Sequence, residues 1–278
     1  MYFMRTFLSV LALLFVSNVN AQTIKLEKLW EAKEQLPVPE SVVYVAEKKE
    51  LYVSLIDGEG NVKDGKGGVA ILNLDGSVKN ATWITGLNAP KGMAIYKGKL
   101  YVADITAVVC IDLSNGKIIE KIEVPNAVFL NDIAIDKKGV VYVSDTRMNK
   151  IHRIANGKSA IYLENVMAAN GLKFVKDDLY ALAGPELIKF DKNKNKTVIA
   201  SGFEKSGDGL EPLPNGDFLV TCWAGIIYQV RKDGTKDKLL DVQGKMNTAD
   251  IGFDPKTNTL WVPTFNANSV VAYQLNFK

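Results

Sequence analysis

Hydrophobic and polar positions alternate along nearly the whole chain after its first twenty or so residues. The alternation runs in short stretches rich in β-branched and aromatic residues, and Gly, Asn and Asp punctuate them. Such a period of two predicts strands joined by tight turns, and no later segment carries the spacing of an amphipathic helix. The strands fall into a repeat. Leu51-Tyr52-Val53, Leu100-Tyr101-Val102, Val141-Tyr142-Val143, Leu179-Tyr180-Ala181, Phe218-Leu219-Val220 and Leu260-Trp261-Val262 occupy equivalent places. A repeat of about 40 residues with four strands per unit predicts a β-propeller.

The third unit shows the pattern plainly, with strands predicted over 133–135, 140–144, 150–154 and 160–164. Lys138-Gly139, Met148-Asn149 and Asn156-Gly157 supply the turns between them. The sixth unit holds only three strands, around 251–253, 259–263 and 269–275. The fourth is expected from residues 24–30, which would pair with the last blade and cover its open edge. The fold class is therefore all-β, a six-bladed β-propeller with the last blade closed by the N-terminal strand. Trp30, Trp83 and Trp261 read as packing between strands.

The beginning of the chain differs. Arg5 precedes an apolar run over 7–16, and Val19-Asn20-Ala21 offers small residues for cleavage. These features predict a signal peptide over 1–21 and a single propeller domain over 22–278, exported to the periplasm or secreted. The run is short for a membrane span, and no later stretch resembles one, so no membrane association is expected after cleavage. Net charge is +3 with lysines scattered, which is not the clustered basic footprint of a nucleic-acid binder. Cys110 and Cys222 fall in the second and fifth units, on opposite sides of a ring of six. Two separate buried thiols are expected rather than a disulfide. A monomer acting on a small molecule is the expected state.

The candidate chemistry lies where each unit approaches its first strand. Glu40, Asn131, Asn170 and Asp208 occupy that point in Pro39-Glu40-Ser41, Asn131-Asp132-Ile133, Asn170-Gly171-Leu172 and Asp208-Gly209-Leu210. Closing the ring brings such points to the axis. Two carboxylates and two amides form an all-oxygen set, suited to one divalent metal ion, calcium foremost, with zinc, magnesium or manganese as substitutes. Any one of these residues is equally an ordinary turn residue; their recurrence in four units favours the site. Asp132 and Asp250, one position further on, read as turn or supporting groups. In the second unit the equivalent position is Lys91. It either points inward, to pair with Glu40 or hold an anionic substrate, or lies on the surface.

The turns after each second strand share a face with these residues. Arg147, Trp223 and Phe265 on those turns are expected to wall a pocket. The longest turn, 57–68, lacks the Gly and bidentate Glu of a calcium loop and reads as a rim or lid. His152, the only histidine, is expected on a strand surface, which leaves little support for a Ser-His-Asp triad. Gly65, Gly67 and Gly68 do not follow the strand-to-helix pattern of a phosphate loop.

Taken together, these motifs resemble the group of senescence-marker protein (regucalcin), gluconolactonase and diisopropyl fluorophosphatase over nearly the whole chain after the signal. The carrying residues are Glu40, Asn131-Asp132, Asn170-Gly171-Leu172, Asp208-Gly209-Leu210 and the strand Leu219-Val220-Thr221-Cys222-Trp223. The resemblance implies a six-bladed propeller with a central divalent metal. It implies that Glu40, Asn170 and Asp208 are ligands, and that Asn131 is a ligand or holds substrate and water. It makes Asp208 the general base or nucleophile. Sugar-lactonase members carry an Arg two residues before the third-unit Asn; here Phe129 stands there, with Arg147 nearby.

The leading expectation is a metal-dependent hydrolase of lactone or related ester bonds. Asp208 and Asn131 would be catalytic, and Lys91, Phe129, Arg147, Trp223 and Phe265 would contact substrate. The rival is a non-catalytic exported propeller binding a ligand or protein on the same face, which Phe129 and Lys91 favour. Phosphotriester hydrolysis would use the same residues.

Overall fold

The computed structural model describes residues 23–277. The expected signal peptide and its cleavage point lie outside the described residues. Six four-stranded antiparallel sheets follow one another along the chain. Their innermost strands are Pro39–Val45, Pro90–Tyr96, Leu130–Ile135, Ala169–Val175, Gly207–Pro212 and Gly252–Asp254. Each pairs with the second strand of its blade, and the remaining two strands add outward in turn. In the last blade the outermost strand is Ile24–Ala32, paired with Val270–Phe277 from Ile24↔Phe277 to Ala32↔Val270. The ring is thus closed by its two ends, and Trp30 pins the closing strand to blade one by donating its Nε1–H to the Leu74 carbonyl at 2.9 Å. Gly76, with φ of +87°, lies beneath that indole, where a Cβ would come within 2.7 Å of the ring.

The alternation seen in the sequence becomes packing between adjacent blades. Tyr52, Val69, Ile71, Met93, Leu100 and Val109 form one buried cluster shared by blades one and two. Similar clusters fill the other junctions. Trp83, Trp30 and Trp261 all pack in such clusters, Trp261 against Tyr44 at 5.1 Å between ring centroids. Complete burial of a large apolar side chain such as Leu100 or Val220 is worth roughly 1.5–3 kcal/mol. Cys110 and Cys222 are buried and unbridged.

One local irregularity recurs. In blades one to five the pairing of the first two strands slips at its start, between Pro39 and Ser41, Pro90 and Met93, Leu130 and Ile133, Ala169 and Leu172, and Gly207 and Leu210. Extra residues on one strand bend it and re-aim a side chain. The residues within these slips are Glu40, Lys91, Asn131-Asp132, Asn170-Gly171 and Asp208-Gly209. They belong to the innermost strands, not to the turns before them as the sequence suggested.

Candidate active site at the propeller axis

The slips set up two successive rings around the axis. The first consists of Glu40, Lys91, Asn131, Asn170, Asp208 and, in blade six, Ala249. The second holds Ser41, Gly92, Asp132, Gly171, Gly209 and Asp250. Crowding explains the glycines: a Cβ on Gly171 would collide with the Asp208 carbonyl oxygen and lie 2.9 Å from Leu182 Cδ1.

The two aspartates of the second ring stitch blades together. Asp132 accepts from the Leu172 amide of the next blade at 2.6 Å and from the Ile133 amide at 2.6 Å. Asp250 accepts the Ser41 hydroxyl at 2.5 Å across the junction of the last and first blades. Burial foremost raises both, Asp250 up to about 7 despite the Ser41 bond.

The first ring is less well satisfied. Glu40 is 5% exposed and Asp208 2% exposed. Glu40 Oε2 and Asp208 Oδ2 are buried without a hydrogen-bond partner. Asp208 Oδ1 accepts from Asn170 Nδ2 at 2.6 Å. Asn131 Nδ2 donates to Thr146 Oγ1 at 3.1 Å, and that hydroxyl donates to the Ala169 carbonyl at 2.7 Å. Both amides are therefore oriented by their NH2 ends, and no hydrogen bond reaches their Oδ1 atoms among the described residues. Burial, then the charge of Asp250, push Asp208 up to about 8. Glu40 is held well above the usual range by burial and then by Asp208 and Asp250, with Lys91 pulling the other way. Two unpaired carboxylate oxygens and two oriented amide oxygens fit a hard cation, which would replace their missing partners. Among the described residues no group of three or more His, Cys, Asp and Glu could hold a metal. A cation here would depend on the amides.

Lys91 points inward and is not a surface residue; it is 2% exposed. It forms no salt bridge with Glu40 or Asp208 among the described residues. Its Nζ donates to the Ala89 carbonyl at 2.8 Å and sits 4.4 Å from the Phe129 ring centroid. Burial lowers it to about 8, opposed chiefly by Glu40. Arg147 is exposed and places its guanidinium carbon 4.5 Å from the same centroid. Two buried aspartates fix this wall. Asp104 accepts the Ala89 amide at 2.8 Å, and Asp145 accepts those of Val128 and Phe129 at 2.9 and 3.0 Å. Trp223 and Phe265 meet edge to face at 5.4 Å, and Phe265 also packs against the cluster of Ile56, Ala89 and Ile105. Phe265 opens the short helix Phe265–Ala267 with φ of +49°, uncommon for an aromatic residue.

Sequence reasoning missed Thr146 and Asn247. Asn247 joins the aromatic side of the rim, donating to the Trp223 carbonyl at 2.9 Å. Its place three residues before Asp250, on the approach to the sixth blade, was the available signal. His152 corrects the expectation of a strand-surface residue. It is 3% exposed, with Nε2 3.7 Å from Asp145 Oδ2, because the third strand of a blade is covered on both faces by its neighbours.

A cavity of about 810 Å³ opens at the other end of the axis, among Val43, Ile95, Ile135, Phe174 and Phe253. Its Lys173 and Glu211 form an ion pair of 2.6 Å, and Asp132 and Asp250 have the partners given above. Its innermost polar groups, Asp132, Asp250, Lys173 and Glu211, thus have partners, whereas Glu40 Oε2 and Asp208 Oδ2 of the first ring have none.

The fold has many relatives of known structure. A gluconolactonase from Xanthomonas campestris matches with a TM-score of 0.65 and 16% identity over 88% of each chain. A putative gluconolactonase matches at 0.67 and 15% identity over 92% of this chain and 93% of its own. Virginiamycin B lyase from Staphylococcus aureus matches at 0.67 and 15% identity over 91% and 100%. No family profile and no curated protein sequence matches the chain. At these identities the likeness establishes the fold: the chain is a six-bladed propeller with the architecture of the gluconolactonase-like group.

Proposed function

We propose that the protein is a metal-dependent hydrolase of lactone or related ester bonds. The observation that carries this reading is the pair of buried, unpartnered carboxylate oxygens, Glu40 Oε2 and Asp208 Oδ2, on the same ring as Asn131 and Asn170. Glu40, Asn131, Asn170 and Asp208 would hold one divalent cation, calcium best by the hardness of the donors. Bound there, it would supply Lewis-acid polarisation of the substrate carbonyl. Asp208, made anionic in that state, takes the proton of the attacking water or attacks the carbonyl carbon itself. Asn170 holds Asp208 in one orientation through its Nδ2. Asn131, fixed by Thr146, orients the ester. Trp223, Phe265 and Phe129 exclude water from the mouth.

The titration of the acids suits this role. Burial raises the Glu40 and Asp208 carboxyls above their ordinary values, so a cation bound there would displace protons, and metal binding and proton release are coupled. Substrate is a small molecule, and the protein acts after export as a monomer. The test is hydrolysis of a panel of lactones with calcium and with chelator. Activity that chelator abolishes, and that Asp208→Asn and Glu40→Gln both lose, supports the reading. Equal rates with chelator, or an undiminished Asp208→Asn variant, refute it.

A second reading follows from Phe129 and Lys91: a non-catalytic propeller binding a ligand on this face. Absence of hydrolysis across the panel, with no divalent metal retained by the purified protein, would favour it.

A further inference from the structure

Lys91 is a buried cation without a direct salt bridge among the described residues; Glu40 and Asp104 favour its charge only from a distance. Its ammonium has three N–H groups, of which one is accepted by the Ala89 carbonyl. The Phe129 ring faces it, and a ring quadrupole stabilises a cation without neutralising it. No carboxylate oxygen lies within 4 Å of Nζ among the described residues; Glu40 favours its charge from further away. A buried charge left unpaired is costly.

Arg147 repeats the pattern from the rim. It has no ion pair and no hydrogen bond among the described residues, only its place against the Phe129 ring. Both cationic centres are within 4.5 Å of the Phe129 centroid and so within about 9 Å of each other. Of the rim carboxylates, Asp64 pairs with Lys66 at 3.5 Å and Glu123 accepts the Thr106 hydroxyl at 3.3 Å, while Asp57 and Glu59 lie exposed on the 57–68 turn. The 57–68 turn overlies the ring, with Gly60 placed so that a Cβ would be 4.0 Å from Phe129 Cζ. Lys91 is the second residue of its strand, at the mouth end, and its ammonium reaches back to Ala89.

We propose that Lys91 and Arg147, set about Phe129, form an oxyanion subsite that holds a carboxylate or phosphate group of the substrate. The substrate class becomes an anionic lactone or ester, its anionic group on the blade-two and blade-three side and its apolar part toward Trp223. The proposal takes its ester from the hydrolase reading, but the anion subsite is tested without turnover. Arg147 supplies a planar fork for two oxygens, and Lys91 a point charge at the base.

The test is binding of inorganic phosphate and of acetate to the full mature chain in the presence of chelator. Isothermal titration and thermal shift are read against chloride at matched ionic strength. Phosphate or acetate should bind saturably. Lys91→Met and Arg147→Gln should each weaken binding at least tenfold. The Arg147 variant, altered at an exposed position, should retain the wild-type unfolding curve, so a folding defect in the Lys91 variant leaves the outcome readable. The stronger of the two anions names the group. Saturable binding that both variants retain, or no binding beyond that of chloride, overturns the proposal. In the hydrolysis panel, a carboxylate-bearing lactone should show a KM at least tenfold below its neutral counterpart, and Arg147→Gln should erase that difference. Anion binding without any hydrolysis would defeat the hydrolase reading and leave the subsite standing; hydrolysis indifferent to anionic groups would do the reverse.

Discussion

Replacing Asp208 by Asn separates the charge of that side chain from its shape. Burial, reinforced by Asp250, raises the Asp208 carboxyl up to about 8, while the unfolded chain titrates near its ordinary value of 3.8. Between those values the folded protein holds a proton that the unfolded chain has released. Stability must therefore fall as pH rises through that window and level off above the folded value. From about pH 6 to pH 8 the loss for this one group is about 2 kcal/mol, at 1.36 kcal/mol per pH unit with flattening near the upper end. Asparagine mimics the protonated acid and can still accept the Asn170 Nδ2–H. In chelator the variant should match the wild type near pH 6 and lack this part of the decline by pH 8. Urea unfolding at three pH values measures the difference. Calcium should flatten the wild-type profile by holding Asp208 ionised, and should leave the variant unmoved. Parallel pH profiles for the two proteins in chelator, or equal calcium stabilisation of both, would show that the burial of Asp208 does not set its charge as described.

Two further perturbations test the scaffold. Gly171→Ala drives a Cβ into the Asp208 carbonyl oxygen and toward Leu182; overpacking should lower stability by about 1–3 kcal/mol. Because the displaced group is the backbone of Asp208, calcium-dependent thermal stabilisation should shrink with it, and an unchanged shift would separate the two. Deleting the chain through residue 33 removes the strand Ile24–Ala32 and uncovers the edge of Val270–Phe277. The truncated protein should aggregate during purification, as light scattering would report, because an unpaired edge recruits other strands. A monodisperse, cooperatively folding product would mean that the ring closes without its N-terminal strand.

The period-two alternation and the repeated triplets around Tyr52, Tyr101, Tyr142, Tyr180, Leu219 and Trp261 determined the architecture, because a repeat that alternates on both faces can bury itself only by stacking blades. The three-strand sixth unit and the leftover strand at the start determined the closure for the same reason. The residues converging on the axis were also legible, since equal positions in equal units meet there. Side-chain direction within the ring was not. Whether Lys91 faced in or out turned on a register slip that no local pattern announces, and its partner Ala89 and its neighbour Arg147 come from different turns. The burial of His152 and the bridge from Thr146 to Asn131 belong to the same category. Composition and spacing say which groups reach a common axis; only the packing of six bent strands decides which of their atoms find partners there and which, like Glu40 Oε2 and Asp208 Oδ2, are left without one.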